Sequence, residues 1–204
     1  MRAAEYALSA HAVPPLILAS TSPYRRELLA RLRVPFEFMP PGSDEQRLDG
    51  EPADALALRL ARLKAEAVAG RHPGHVVIGS DQVAVRGVEI LGKPGTVEHC
   101  AGQLARSSGQ DVTFLTAVHV VDGRQRRAES HLDSTIVRFR ALTPEEIDRY
   151  IAADHPLDCA GGFKAESLGI GLFERIESLD PTALTGLPLI WLSAALRRAG
   201  IPVP

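Results

Sequence analysis

Apolar and polar positions along the chain switch repeatedly between strand-like runs and helical spacing. Leu16–Ala19 is a short continuous apolar run of strand type. Ser22-Pro23 then opens a helix, with Ser as N-cap, Pro at the first helical position and an apolar stripe of Leu28, Leu29 and Leu32. Phe36–Phe38 predicts a second strand, and Pro40-Pro41-Gly42 begins an irregular acidic loop through Asp44 and Glu45. Residues 52–69 give the clearest amphipathic helix, with Leu56, Leu60, Leu63 and Ala67 on one face and Gly70 as the stop. His75–Gly79 reads as a buried strand leading into Ser80-Asp81-Gln82. Val83–Val85 and Glu89–Leu91 flank a hairpin-like turn at Arg86-Gly87-Val88. Thr96 caps a helix to about Arg106, and Val112–Val121 and Ser130–Arg140 are long strands around a polar turn at Asp122-Gly123. Thr143-Pro144-Glu145-Glu146 is a capping box whose helix runs to about Ala153. A glycine-rich stretch from Gly161 to Gly171 precedes a last helix over Pro188–Ala199. Helices alternating with strands, interrupted by hairpins, predict an α/β fold with a mixed sheet.

Four places on this framework carry candidate chemistry. At Ala19-Ser20-Thr21-Ser22-Pro23-Tyr24-Arg25-Arg26 a buried strand ends in three hydroxyls, and two arginines follow in the first helical turn. Free backbone N–H groups and the positive helix end favour an anion there. Arginine at that end opposes the helix dipole, a cost an external anion would offset; a capped surface helix with solvated arginines has the same pattern. Asp81 follows the buried run Val76-Val77-Ile78-Gly79, where open α/β sheets place ligands, and it reads as a metal or water ligand or as a turn former. Lys93 stands between Gly92 and Pro94 like a pinned phosphate ligand, but the Walker pattern is absent. Ala165–Gly169 faintly resembles a serine-hydrolase elbow, but the last histidine, His155, precedes Ser167, so that reading is rejected. His72 and His75 share a Gly/Pro loop expected to be exposed, and Cys159 reads as a packed small residue rather than a nucleophile.

Composition narrows the class. A length of 204 residues predicts one domain, residues 14–204, after a short extension over 1–13. With 45% hydrophobic and 24% charged residues the chain is ordinarily globular. A net charge of −2 argues against a nucleic-acid partner. Two distant cysteines without a CxxC, Cys100 and Cys159, fit reduced thiols in a cytoplasm. No export signal is visible, and the best apolar run, Ala183–Leu196, is broken by Gly186 and Pro188, so no membrane span is expected.

Taken together, LASTSPYRRELL, the Asp44-Glu45 loop, RLARLKA, IGSDQV, LGKP, HPLDCAGGFKAE and LTGLPLIWL resemble the Maf family of nucleoside triphosphate pyrophosphatases, from about residue 15 to residue 200. Within the family the chain is most similar to the branch that hydrolyses 7-methyl-GTP. The pyrimidine branch has Thr at Gln82, Arg at Tyr24 and Gln at Glu166. The resemblance implies a two-lobed, ITPase-like α/β fold with an elongated mixed sheet and a central cleft. It implies a cytoplasmic hydrolase that releases pyrophosphate from a nucleoside triphosphate and requires a divalent cation, Mg²⁺, Mn²⁺ or Co²⁺. Asp81 matches the catalytic acid/base position. Ser20, Arg25, Glu45, Lys64 and Lys93 match cleft positions that handle triphosphate or metal, with Glu45 and Asp81 as metal ligands. Tyr24, Gln82 and Glu166 match specificity positions. The rivals are the same chemistry on UTP, dTTP or CTP, and a non-catalytic nucleotide-binding regulator of cell division. A symmetric homodimer is the default expectation for a soluble oligomer.

Overall fold

The structure is a computed structural model that describes residues 13–204, so most of the expected N-terminal extension lies outside the described residues. Its strands are β1 (Leu16–Ala19), β2 (Glu37–Met39), β3 (Val76–Arg86), β4 (Glu89–Leu91), β5 (Asp111–Asp122), β6 (Arg127–Phe139) and β7 (Phe173–Glu177). The α-helices are α1 (Pro23–Ala30), α2 (Ala53–Ala69), α3 (Val97–Ser107), α4 (Pro144–Asp154) and α5 (Leu189–Arg198). The strands form one seven-stranded mixed sheet in the order β2-β1-β3-β5-β6-β7, with β4 paired to β3. The α/β expectation holds, and so do the helix starts. Ser22 accepts from the Arg25 amide, Thr96 from the His99 amide, and both halves of the Thr143–Glu146 capping box are present.

The largest departure from the sequence reading is β3. It does not end at Gly79 but runs unbroken for 11 residues through Ser80-Asp81-Gln82 to Arg86. Its reach comes from β5, which pairs it antiparallel from Val76↔Asp122 to Val85↔Thr113. The other edge is divided. β1 runs parallel to Val76–Gly79, and β4 runs antiparallel to Ala84–Arg86. Ser80–Val83 therefore have no strand neighbour on that edge. The gap opens where the chain leaves β1 for α1. The β5–β6 turn is also shorter than expected, because β6 begins at Arg127.

Hydrophobic clusters flank this gap. One packs β1, β3 and β5 against α1 and α5 through Leu16, Leu18, Ile78, Leu192 and Leu196. The other joins α3 and α4 to the far ends of β5 and β6, around Phe114, Phe139 and Phe163. Ring centroids of Phe114, Phe139, Phe163 and Phe173 stand 4.8–5.5 Å apart in edge-to-face pairs. Helix α2 spans the opposite face and carries Lys64 to the gap.

Gly79 sets how closely α2 lies on β3. A Cβ there would stand 2.3 Å from the Ala61 carbonyl oxygen and 2.5 Å from the Ala65 amide nitrogen. Gly79→Ala is expected to push α2 away and cost about 1–3 kcal/mol, lowering the melting temperature by about 2–12 °C. Thermal melts followed by circular dichroism check this; an unchanged melting point would mean that the helix yields freely. Among the described residues, no helix is long and apolar enough to cross a membrane.

Candidate active site

The gap in the β3 edge is the floor of a cavity of about 560 Å³. Ser20, Tyr24, Arg25, Glu45, Lys64, Asp81, Gln82, Lys93 and Glu166 all line it. Residues spread over nearly 150 positions are thus brought to one place.

Consider first the turn from β1 into α1. The Ser22 amide donates to Ser20 Oγ at 3.1 Å, and Ser22 caps the helix, which fixes the hydroxyl-rich turn against the cavity. Arg25 does not reach freely into solvent. It is half-buried, and its Nε donates to the Gly186 carbonyl oxygen at 3.1 Å. Burial lowers its pKa, with Asp81 and Glu45 opposing that effect. Gly186 is required at this point: its φ is +117°, and a Cβ would meet Arg25 Nε at 3.1 Å. Ser80 Oγ is 2.8 Å from the same carbonyl. With Nε anchored, the rest of the guanidinium is left for an anion.

The alternation of β3 sends Asp81 and Val83 toward α2, and Ser80 and Gln82 toward the turn at Ala183–Gly186. Asp81 is buried, and its Oδ1 lies 2.6 Å from Lys64 Nζ. Glu45 Oε2 lies 2.8 Å from the same nitrogen. Lys64, only 8% exposed along its side chain, therefore joins a strand carboxylate to a loop carboxylate. This is a different placement from a lysine reaching for phosphate alone. Its ammonium faces the two groups that the sequence reading assigned to a metal.

Gln82 is committed to the cavity wall. Its Nε2 donates toward Thr116 Oγ1, the Ala183 carbonyl and the Leu184 carbonyl at 2.9–3.1 Å. Only its carbonyl oxygen remains for a ligand. Lys93 is exposed and makes no ion pair among the described residues. Its backbone is held on both sides, by Gln103 Nε2 on the Gly92 carbonyl at 3.1 Å and by the Gly95 amide on the Leu157 carbonyl at 3.0 Å.

Tyr24 and Glu166 stand with Asp158 and Cys159. Burial, then the nearby Cys159 and Asp158, raise the Tyr24 pKa. Burial and Asp158 push the Cys159 thiol up to about 12, so it stays protonated, as expected of a residue that is no nucleophile. Partial enclosure and the Asp154 charge raise the Glu166 pKa, with Lys164 opposing.

Sequence reasoning missed the Gly186 carbonyl, Asp158 and the pair Glu51–Arg59 behind the acidic loop. The first is a main-chain atom and leaves no side-chain signal. Asp158 lies within the HPLDCAGGFKAE segment beside Cys159, and Arg59 shares α2 with Lys64, a spacing that could have flagged it. His72 and His75 are half-buried rather than exposed, with rings edge-to-face at 5.2 Å. Among the described residues no group of three or more His, Cys, Asp or Glu side chains is placed to hold a metal. The donor set beside Lys64 is two carboxylates, Asp81 and Glu45, which fits an ion such as Mg²⁺ that completes its shell with phosphate oxygens and water.

Residues 15–199 match the family described as Maf-like protein. A protein of Pseudomonas putida named 7-methyl-GTP pyrophosphatase is 53% identical over 190 residues, covering 93% of this chain and 99% of the relative. Proteins with the same name from Xanthomonas campestris pv. campestris and Alkalilimnicola ehrlichii are 55% and 54% identical, covering 94% and 93% of this chain and 100% and 96% of the relatives. The solved Ham1 protein of Staphylococcus aureus is a distant likeness, 14% identical at a TM-score of 0.43 over 61% of this chain and 71% of that one. Because the match runs from the first strand of the sheet to the end of the last helix, and the relatives share about half of its positions over nearly their whole length, the chain belongs to the Maf family.

Proposed function

We propose that the protein hydrolyses 7-methyl-GTP to 7-methyl-GMP and pyrophosphate. The observation that carries this reading is the division of one cavity: Asp81–Lys64–Glu45 with Arg25 on its floor, and Tyr24 with two carboxylates, Asp158 and Glu166, elsewhere on its wall. The first set suits a polyphosphate and the second a cationic base.

In the reaction a water oxygen bonds to the α-phosphorus. The bond from that phosphorus to the bridging oxygen breaks, and pyrophosphate leaves. Asp81 is the group that takes the water's proton. Lys64 holds its Oδ1, and Oδ2, which has no hydrogen bond within the described protein, faces the task. Arg25 and Lys93 neutralise charge on the phosphates, and Ser20 donates to a phosphate oxygen. Glu45 and Asp81 would hold a divalent cation, which supplies charge withdrawal at the attacked phosphoryl group.

For base choice, methylation at N7 makes guanine a delocalised cation. The Tyr24 ring offers a face to it, a contact worth about 0.5–2 kcal/mol. Ionised Glu166 accepts from the N1–H and amino group while opposing the positive charge. The chemistry needs only a soluble nucleotide, which accords with a cytoplasmic enzyme that clears modified nucleotides and needs no nucleic acid or membrane.

Pyrophosphate release from a panel of normal and modified nucleoside triphosphates with Mg²⁺, Mn²⁺ and Co²⁺ tests the reading. The highest kcat/KM is expected for 7-methyl-GTP; a preference for UTP, dTTP or CTP overturns the branch, and binding without turnover overturns the enzyme. Glu166→Gln is expected to lower kcat/KM for 7-methyl-GTP by roughly tenfold, about 1.4 kcal/mol, and to spare GTP. The pH dependence follows from the raised Glu166 pKa. Its ionised form is the one that binds the cationic base, and that form is lost as pH falls through the raised value. The preference for 7-methyl-GTP over GTP should therefore decline as pH falls, and the decline should begin above the range of an ordinary glutamate. It should be flat in Glu166→Gln, and a flat profile in the native protein would remove Glu166 from base recognition.

A further inference from the structure

Glu45 comes from an irregular loop and its side chain is half exposed, yet it reaches the buried Lys64. Something must hold that loop against α2. Arg59 meets it from the same helix. Its Nε and Nη2 form a two-pronged pair with Glu51 Oε1 and Oε2, at 2.6 and 2.7 Å. Nη2 also donates to the carbonyl oxygen of Gln46, the residue after Glu45, at 3.0 Å. Glu51 is itself a hub: Oε2 accepts from the Leu48 amide at 3.2 Å, and its carbonyl accepts from Arg47 Nη2 at 2.8 Å. It is only 9% exposed, and the Arg59 fork holds its carboxyl below the usual carboxylate range.

Arg59 and Lys64 are separated along α2 by about 7.5 Å, five residues at the helical rise. The loop is thus fastened to one rigid helix at two adjacent residues, through the Gln46 main chain and the Glu45 side chain. A single ion pair to a half-exposed glutamate is a weak constraint on a loop. A planar fork with further N–H groups to spare is a strong one, and lysine cannot reproduce it.

We propose that Arg59, locked by Glu51, is a positioning residue that delivers Glu45 to Lys64 and Asp81. It touches neither substrate nor reacting atoms. The proposal rests on the reading that Glu45 works in the reaction, and its test separates the two.

The test is a double-mutant cycle with Arg59→Lys and Glu45→Gln, each variant shown to be folded, assayed for kcat and for the Mg²⁺ concentration giving half-maximal activity. Arg59→Lys is expected to lower kcat about tenfold or more in the native background and to raise the Mg²⁺ requirement. In the Glu45→Gln background it should change kcat less than about twofold, because the group it positions is already disabled. Equal losses in both backgrounds would show a general structural role and overturn the proposal. No loss from Glu45→Gln alone would instead overturn the reading of Glu45, and the proposal with it. If Arg59→Lys does not fold, Glu51→Gln takes its place with the same expectation. Hydrogen exchange on the nucleotide-free protein gives a readout independent of catalysis. Faster exchange at the amides of Gln46 and Leu48, with β3 and α2 unchanged, is expected; unchanged exchange at both amides overturns the proposal.

Discussion

Asp81→Asn should leave a folded protein whose kcat on 7-methyl-GTP is at least about a hundredfold below the native value, the lower end for a lost acid–base group and about 2.7 kcal/mol in barrier. Asparagine has the same volume and keeps an acceptor for Lys64 at the position of Oδ1, now 2.6 Å away. Lys64 also keeps Glu45 at 2.8 Å, so the buried ammonium is not left alone. In the proposed reaction, what is lost is the basic oxygen at the open edge of β3, and with it the place for the water's proton. Saturating kinetics with a thermal melt of the same sample decide the matter. A kcat within about threefold of native would remove Asp81 from that role.

Lys64→Met is expected to do damage of a second kind. It leaves Asp81, with a side chain 11% exposed, facing Glu45 with no cation between them. Breaking a buried pair by removing one partner costs about 3–5 kcal/mol, because the remaining charge stays buried. For a chain of this length the melting temperature should fall by roughly 6–20 °C. Lys64 has a second consequence that separates it from an ordinary structural lysine. The two carboxylates are the donor set that fits a divalent cation, so Mg²⁺ or Mn²⁺ should restore part of the lost stability in Lys64→Met. The same ions should raise the melting point of the native protein less, since there the ammonium already balances the carboxylates. Melts of both proteins over a metal titration give the answer. Equal shifts in the two proteins would mean that the cation binds away from Lys64. Activity of the variant should be low with or without metal, because Asp81 Oδ1 loses the group that orients it.

The local elements were legible in the sequence because their causes are local. A capping hydroxyl, a proline at the first helical position and an apolar stripe act over a few residues, so α1, α2, α3 and α4 were readable from Ser22-Pro23, the Leu56–Ala67 spacing, Thr96 and the Thr143 box. The candidate site residues were named through the resemblance of several separated segments, and one cavity gathers them. The true extent of β3 was not readable. Nothing in Ser80-Asp81-Gln82 favours a strand; that stretch is extended because β5 pairs with it along its whole length, from more than 30 residues away in the chain. Nor could the sequence show that β1 and β4 leave Ser80–Val83 open, since that depends on where two unrelated strands stop. The partners of the charged groups belong to the same class. That Lys64 faces two carboxylates, that Arg25 is anchored by a main-chain carbonyl and that Gln82 turns its amide to the wall are long-range facts. Residue type and spacing determined the local elements, and the resemblance of the segments pointed to the chemistry. Which of those groups meet, and which are left free for a ligand, was decided by packing α2 onto Gly79 and closing the Ala183–Gly186 turn over β3, because only the folded sheet brings their atoms within hydrogen-bonding distance.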